Sequence, residues 1–268
     1  MIDIDKLSAS VPRPEKEYLG EDGFLHCKAC GEAIEMMLDV PGRGERKVRF
    51  VCSCNRKARE KEEELKRQEN NERNRQRCFG DAKEIDCRFE TSRETDLIKV
   101  ARNYMDNFET MKSKSKGLLL YGISGTGKSH AAACIANALI DKGYTAYMSK
   151  FEEIIARIQE SFEGRHKYLN SLNDYSLLVI DDLGAERQSN YMQSQVFNII
   201  DTRYKSGKPF IITTNLTAEE MKKPADVNNA RIYDRVLEVC HPVEAKGVSF
   251  RRQKLKEDYK QIEMILKG

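Results

Sequence analysis

From about residue 80 onward, short apolar runs alternate with stretches of helical spacing. Leu118-Leu119-Leu120-Tyr121 is followed, across a glycine-rich segment, by the helix-forming run Ala131-Ala132-Ala133-Cys134-Ile135-Ala136-Asn137-Ala138-Leu139. Tyr144-Thr145-Ala146-Tyr147-Met148 reads as a strand, and residues 150–161 carry Phe151, Ile154, Ile155 and Ile158 on one helical face. Ser176-Leu177-Leu178-Val179-Ile180 reads as a buried strand ending in Asp181-Asp182. Residues 192–205 read as a helix, and Lys208-Pro209-Phe210-Ile211-Ile212-Thr213-Thr214-Asn215 as a further strand. Continuous apolar runs, rather than alternating ones, mark strands covered on both faces. Strands interleaved with helices predict an α/β fold with a parallel sheet flanked by helices. Ligands of such sheets sit at the carboxyl ends of the strands, where Gly122, Asp181 and Asn215 fall.

The pattern before residue 80 is different. Residues 1–55 are broken by Pro12, Pro14 and Gly20 and hold two cysteine pairs, Cys27-Lys28-Ala29-Cys30 and Cys52-Ser53-Cys54. Between them, Glu35-Met36-Met37-Leu38-Asp39, a Gly42/Gly44 turn and Lys47-Val48-Arg49-Phe50-Val51 predict a β-hairpin that brings the pairs together. Four thiolates satisfy tetrahedral Zn²⁺ in a closed structural site, and a segment this short needs a metal in place of a core. A redox C-x-x-C would want a βαβ setting, which is absent. His26, beside Cys27, reads as a bystander. Residues 56–80 form a charged helical linker in which Ala58 and Leu65 are the apolar residues of the run from Asn55 to Arg77. So polar a helix buries no face. Its plain reading is a solvated, Glu/Lys-paired connector; the sharper one is a partner-binding or nucleic-acid-contacting arm with Arg73, Arg75 and Arg77 at phosphates.

Composition narrows this picture modestly. The 268 residues allow one good-sized domain, here 81–268, and a small one. The net charge of +3 argues neither for nor against nucleic acid. No apolar run approaches the roughly 20 residues that span a bilayer, and Met1-Ile2-Asp3-Ile4-Asp5 lacks an apolar signal core, so a cytoplasmic protein is expected. Eight cysteines are then thiols or metal ligands rather than disulfides. Cys78, Cys87, Cys134 and Cys240 read as packing or surface thiols, with Cys134 facing the sheet.

The segment Gly122-Ile123-Ser124-Gly125-Thr126-Gly127-Lys128-Ser129 fits G-x-x-x-x-G-K-[ST] between a strand and a helix, the setting a phosphate-binding loop requires. Glycines let backbone N–H groups turn inward around phosphate, and the helix N-terminus adds its positive end. Lys128 would reach the β- and γ-phosphates of ATP and Ser129 would ligate Mg²⁺. Asp181 is placed to hold the Mg²⁺ shell through water, and Asp182 to orient the attacking water. Asn215 could hydrogen-bond that water or the γ-phosphate. Arg231 and Arg235 stand one helical turn apart on one face, and Arg251-Arg252 open the last helix. Any of these arginines could supply positive charge to the transferring group, or be a plain surface charge.

Taken together, Gly122 to Ser129, Leu178-Val179-Ile180-Asp181-Asp182-Leu183-Gly184-Ala185-Glu186, Ile199-Ile200-Asp201-Thr202-Arg203-Tyr204, Ile211-Ile212-Thr213-Thr214-Asn215-Leu216 and Arg231-Ile232-Tyr233-Asp234-Arg235 resemble the DnaC/DnaI family of bacterial replicative helicase loaders, within the AAA+ ATPases. The four cysteines resemble the zinc-binding N-terminal domain of its Firmicute and phage members. The resemblance implies an ATPase that binds a replicative DNA helicase through its N-terminal part and single-stranded DNA through its ATPase part. It places Asn215 on sensor 1, Arg235 on an arginine finger acting in trans with Arg231 beside it, and Arg251 on sensor 2. A homo-oligomer with ATP at its subunit interfaces follows. Asp182 stands where most AAA+ proteins have Glu, and the short stretch after Arg251 leaves no full helical lid. An IstB-like transposition helper ATPase shares the core, and a non-hydrolysing ATP-binding zinc adaptor is the reading outside the enzyme class.

Overall fold

The computed structural model describes residues 16–160, 164–184, 190–224 and 226–267. Met1–Asp5, Pro12, Pro14, Ser161, Ala185 and Glu186, all used in reading the sequence, lie outside these. The chain divides into two compact units at Glu69/Asn70.

In the first unit, β1 (Glu17–Leu19) pairs antiparallel with β2 (Leu25–Cys27). The expected hairpin is β3 (Glu35–Val40) with β4 (Gly44–Arg49), closing at Val40 opposite Gly44. Among its described residues the buried apolar set is Cys27, Ile34 and Cys52, with Leu25 and Cys54 against them. Helix α1 (Ser53–Phe79) starts on the second cysteine pair. Its first half is a solvated, ion-paired helix, with Lys66 to Glu62 at 2.6 Å and Arg67 to Glu64 at 2.9 Å.

The second half of α1 departs from the sequence reading. It belongs to the second unit and buries Asn71, Asn74, Cys78 and Phe79. Two amides and a thiol form most of that face, so no apolar periodicity announces it. Arg75, one of three candidate phosphate contacts in the sharper reading of this helix, pairs with Asp141 and with Glu72.

The second unit is a three-layer α/β/α sandwich around a five-stranded, wholly parallel sheet in the order β6-β7-β8-β5-β9. The strands are β5 (Gly117–Tyr121), β6 (Ala146–Lys150), β7 (Leu177–Leu183), β8 (Phe210–Thr214) and β9 (Cys240–Glu244). Each apolar run feeds two cores by alternation. Leu118, Leu120, Val179 and Ile211 face one layer, built on α2 (Asp96–Asp106), α3 (Phe108–Ser113) and α4 (Lys128–Asp141). Leu119, Leu178, Ile180, Phe210 and Ile212 face the other. That second layer holds α5 (Phe151–Glu160), α6 (Arg165–Ser171), α7 (Asn190–Lys205), α8 (Ala218–Lys222) and α9 (Val227–Val239). A final helix, α10, runs Phe250–Lys267. Cys78, Cys134 and Cys240 are buried in the two cores and Cys87 is half-buried. No helix among the described residues is long and apolar enough to cross a membrane.

Two features were not anticipated. Cys240-His241-Pro242-Val243-Glu244 forms the edge strand β9, where a proline is tolerated and only part of the strand needs apolar cover. At the amino ends of β7 and β8, the fully buried Arg203 donates to the carbonyls of Leu172, Tyr175, Ser176 and Pro209 at 2.7–3.2 Å. Burial pulls its guanidinium down to about 10. Removing it would strand four inward-facing carbonyls, each costly to leave unpaired. Arg203→Ala is therefore expected to destabilise the second unit by at least about 3 kcal/mol in denaturant unfolding; a change within experimental error would show that the carbonyls find other partners.

Candidate functional site

The glycine-rich loop follows β5 and hands over to α4, with Gly127 in the left-handed region at φ 93° as the residue before the helix. Gly125 is constrained twice. Its φ is 85°, and a Cβ there would lie 2.1 Å from Ser249 Oγ. The reason is a segment laid over the loop: Ala245 N donates to Tyr121 O at 2.7 Å, and Phe250 N to Gly125 O at 2.9 Å.

Lys128 is buried at the mouth of this loop. Its ammonium donates to Gly122 O at 2.8 Å, Ile123 O at 2.9 Å and Asn215 Oδ1 at 2.8 Å. The last bond ties the loop after β5 to the residue after β8. It uses the acceptor of Asn215 and leaves its amide donors for a ligand. Burial lowers the Lys128 pKa, against the pull of Asp182 and Asp181.

The two acids lie within β7, at a bulge near its carboxyl end, where the sequence reading had the strand ending. Ile180 pairs with Ile212 and Leu183 with Thr214, so Asp181 and Asp182 together oppose Thr213. Thr213 holds both: its hydroxyl donates to Asp181 Oδ1 at 2.5 Å and accepts from Asp182 N at 3.0 Å. Asp182 takes a positive φ of 59°, a conformation that Asp tolerates better than most residues. Burial raises its carboxyl pKa, helped by Asp181 and opposed by Lys150, Lys128 and Arg251.

Ser124–Ser129, Asp182, Asn215 and Arg251 line one side of a cavity of about 550 Å³, a size ordinary for a small-molecule site. Its other side comes from residues between Lys83 and Ile98, with His130 and Phe250. This wall was missed in the sequence, because it comes from an upstream segment that carries no motif. Within it, His130 Nε2 and Ser92 Oγ are 2.7 Å apart, and burial lowers the His130 pKa. Thr213 was read only as a strand residue; its place directly before Thr214-Asn215 was the available signal.

Arg231 and Arg235 are not in this wall. Arg235 pairs with Asp201 at 3.0 Å and lies over the rings of Tyr204 (4.7 Å) and Phe197 (5.5 Å); Arg231 lies over Phe197 at 4.5 Å. All of this belongs to α7 and α9.

In the first unit, the sulfurs of Cys27, Cys30, Cys52 and Cys54 lie within 4.8 Å of one another. Sulfurs at ~2.3 Å from a tetrahedral ion stand about 3.8 Å apart, so the cluster fits one metal. Its ionisation points the same way. Backbone N–H groups of Cys30 and Ala29 bring Cys27 down to about 6, while Cys54 is pushed up to about 12 by hydrogen bonds from its neighbouring thiols. A cation lets all four ionise together. His26 stays outside, bonded to Asp22 at 2.9 Å and Gly31 O at 2.9 Å.

Residues 53–258 match the family model described as IstB-like ATP binding protein. The replicative helicase loader DnaC of Escherichia coli (strain K12) is 30% identical over 159 residues, 56% of this chain and 62% of that protein. The replicative helicase loader DnaI of Bacillus subtilis (strain 168) is 27% identical over 150 residues, 52% of this chain and 48% of that protein. The chain thus spans 62% and 48% of the lengths of these two relatives. A crystal structure of the DnaC helicase loader matches at TM-score 0.52 and 26% identity, covering 61% of this chain and 98% of that one. The parallel sheet and phosphate loop are those of an AAA+ fold, as the sequence reading expected.

Two substitutions separate the loop from the bulge. Gly125→Ala drives a methyl group into Ser249 and is expected to abolish ATP binding in a fluorescent-nucleotide titration. Thr213→Val keeps the shape but loses both hydroxyl bonds, and is expected to weaken Mg²⁺-dependent ATP binding by about tenfold while metal-free binding stays unchanged. Equal loss with and without metal would refute the role given to Thr213.

Proposed function

The chain belongs to the IstB-like ATP-binding protein family, and from that premise we propose that it is an ATP-hydrolysing helicase loader of DNA replication. The observation that carries the ATPase reading is the 2.8 Å bond from Lys128 to Asn215, which gathers the phosphate loop and the end of β8 into one cavity wall with Asp182. Lys128 binds the β- and γ-phosphates of ATP, and Ser124, Gly125, Thr126 and Gly127 cradle them with Gly122 at the root of the loop. Ser129 and Asp181 would hold Mg²⁺, which would supply positive charge to the phosphates. Asp182 orients the attacking water, and the Asn215 amide donors reach that water or the γ-phosphate. Arg251 adds a positive charge to the same wall.

Arg235, with Arg231 beside it, acts on the nucleotide of a neighbouring subunit. Their absence from the cavity wall of their own chain supports this, as does the stacked pose that holds Arg235 with part of its surface free. ATP then sits at a subunit interface, and its binding and hydrolysis shift the population of assemblies. The Cys27/Cys30/Cys52/Cys54 cluster holds structural Zn²⁺, because thiolates and tetrahedral spacing suit that ion. Work in the cytoplasm on a replicative helicase and single-stranded DNA is the reading supported by relatives that carry the loader name. A second reading, an IstB-like transposition helper, gives the same ATPase core a transposase as its partner.

Lys128→Ala is expected to abolish turnover, and Arg235→Ala to lower it about a thousandfold with ATP binding retained. Mixing the two variants should restore part of the activity, since each supplies the half-site that the other lacks; no recovery would refute action in trans. A strong chelator is expected to unfold the first unit, seen as loss of its amide signals with release of one zinc per chain, while ATP still binds. Affinity capture with the full chain from its native cell decides the partner. A replicative helicase supports the loader, and a transposase overturns it.

A further inference from the structure

The far wall of the nucleotide cavity, between Lys83 and Ile98, is pinned to the same helix that opens on the phosphate loop. Residues 130, 134 and 137 lie on one stripe of α4. His130 Nε2 is 2.7 Å from Ser92 Oγ, Cys134 Sγ is 3.5 Å from the same hydroxyl, and Asn137 Nδ2 donates to Glu84 O at 3.1 Å. His130 therefore occupies the seam between the two walls. It follows Ser129 of the loop directly, bonds the far wall and lines the cavity.

The bonds around Ser92 decide which ring nitrogen carries the proton. Ser92 Oγ is 2.5 Å from Arg88 O, and a carbonyl only accepts, so the hydroxyl proton lies between those two oxygens. Ser92 Oγ then meets His130 as an acceptor, and Nε2 supplies the proton. At about pH 8, well above the ordinary imidazole value of ~6.5, the ring is neutral and has one N–H. Nδ1 is thus a bare acceptor, and among the described residues the hydrogen bonds of the ring all run through Nε2.

We propose that His130 reads the sugar of the bound nucleotide, Nδ1 accepting a hydrogen bond from a ribose hydroxyl, with Ser92 as the positioning residue that fixes the tautomer. The proposal rests on the reading of this cavity as the ATP site. With the phosphates at the loop and the base against the far wall, where Leu97 and Ile98 offer buried apolar surface, the sugar crosses the seam at His130. The chemistry agrees with that place. A bare acceptor repels phosphate oxygens and suits a hydroxyl donor. The amino group of adenine is the other donor on ATP, and it stands at the end of the nucleoside remote from the phosphates. A sugar without the hydroxyl leaves Nδ1 unpaired in a half-buried site, which carries a cost.

The test is a binding titration of the full chain at about pH 8 with Mg²⁺, using ATP, 2′-deoxy-ATP, 3′-deoxy-ATP and inosine triphosphate. One of the two deoxy nucleotides is expected to bind about tenfold more weakly than ATP. Two variants separate reading the sugar from propping the wall. Gln at position 130 keeps an amide donor near the place of Nε2 and has no acceptor near that of Nδ1, whereas Asn puts its carbonyl oxygen near Nδ1. His130→Gln is expected to bind ATP as weakly as that deoxy nucleotide, with the discrimination gone, and His130→Asn to retain it. Ser92→Ala is expected to cut the discrimination to about threefold, because either nitrogen can then carry the proton. Equal affinity of the unaltered chain for ATP and both deoxy nucleotides would overturn the proposal and leave the ATP site standing. So would a His130→Gln chain that weakens all four nucleotides alike, the result of a purely wall-supporting role. Discrimination against inosine triphosphate that His130→Gln abolishes, with none against the deoxy sugars, would overturn it in favour of a contact to the base. Failure of the unaltered chain to bind any of the four would remove the ATP reading as well.

Discussion

The second unit depends on where β8 enters the sheet. By lying between β7 and the phosphate-loop strand β5, it brings one strand end into contact with both halves of the site. Thr213 reaches sideways to the bulge and holds Asp181 and Asp182; Asn215, two residues on, reaches the other way to Lys128. A parallel sheet gives these residues a common end, and its close packing on both faces leaves them little freedom to drift. The bulge is the local cost of this arrangement. It puts a non-glycine residue at φ 59° and leaves a carboxyl half-buried beside another. Strain of this kind persists where the surroundings over-determine it, and the two Thr213 bonds together with the parallel neighbours do so here.

The opposite end of the same strands is fixed by other means. Arg203 gathers four carbonyls from the approaches to β7 and β8. A guanidinium suits this role because its donors fan out in one plane. The strands are held by a cation at their amino ends and by threonine and asparagine at their carboxyl ends, and the apolar layers fill what lies between.

The first unit follows a different logic. Among its described residues the buried set is small and consists largely of its own metal-capable thiols. Its two hairpins bring the cysteine pairs into range, and a cation resolves the conflict of four crowded thiols. The same helix that starts on the second pair enters the other unit as a packed element, so α1 serves both units under opposite rules: ion pairs in water first, buried asparagines later.

The sequence by itself determined the alternation of buried strands and helices, because continuous apolar runs have few other uses in a chain of this polarity. It also determined the phosphate loop and the two cysteine pairs, because backbone cradles and thiolate grips need particular residues at short local spacing. Much was decided only by tertiary structure. The wall from Lys83 to Ile98 comes from a segment distant in sequence that carries no motif. The edge strand at Cys240–Glu244 lacks the apolar signature of a covered one. Asn71 and Asn74 pack through a polar face that no hydrophobic count detects. Thr213 gains its role only from the neighbour across the sheet, and the cis partners of Arg235 come from a separate helix. In each case the deciding contact is non-local, and local spacing carries no record of which elements will meet.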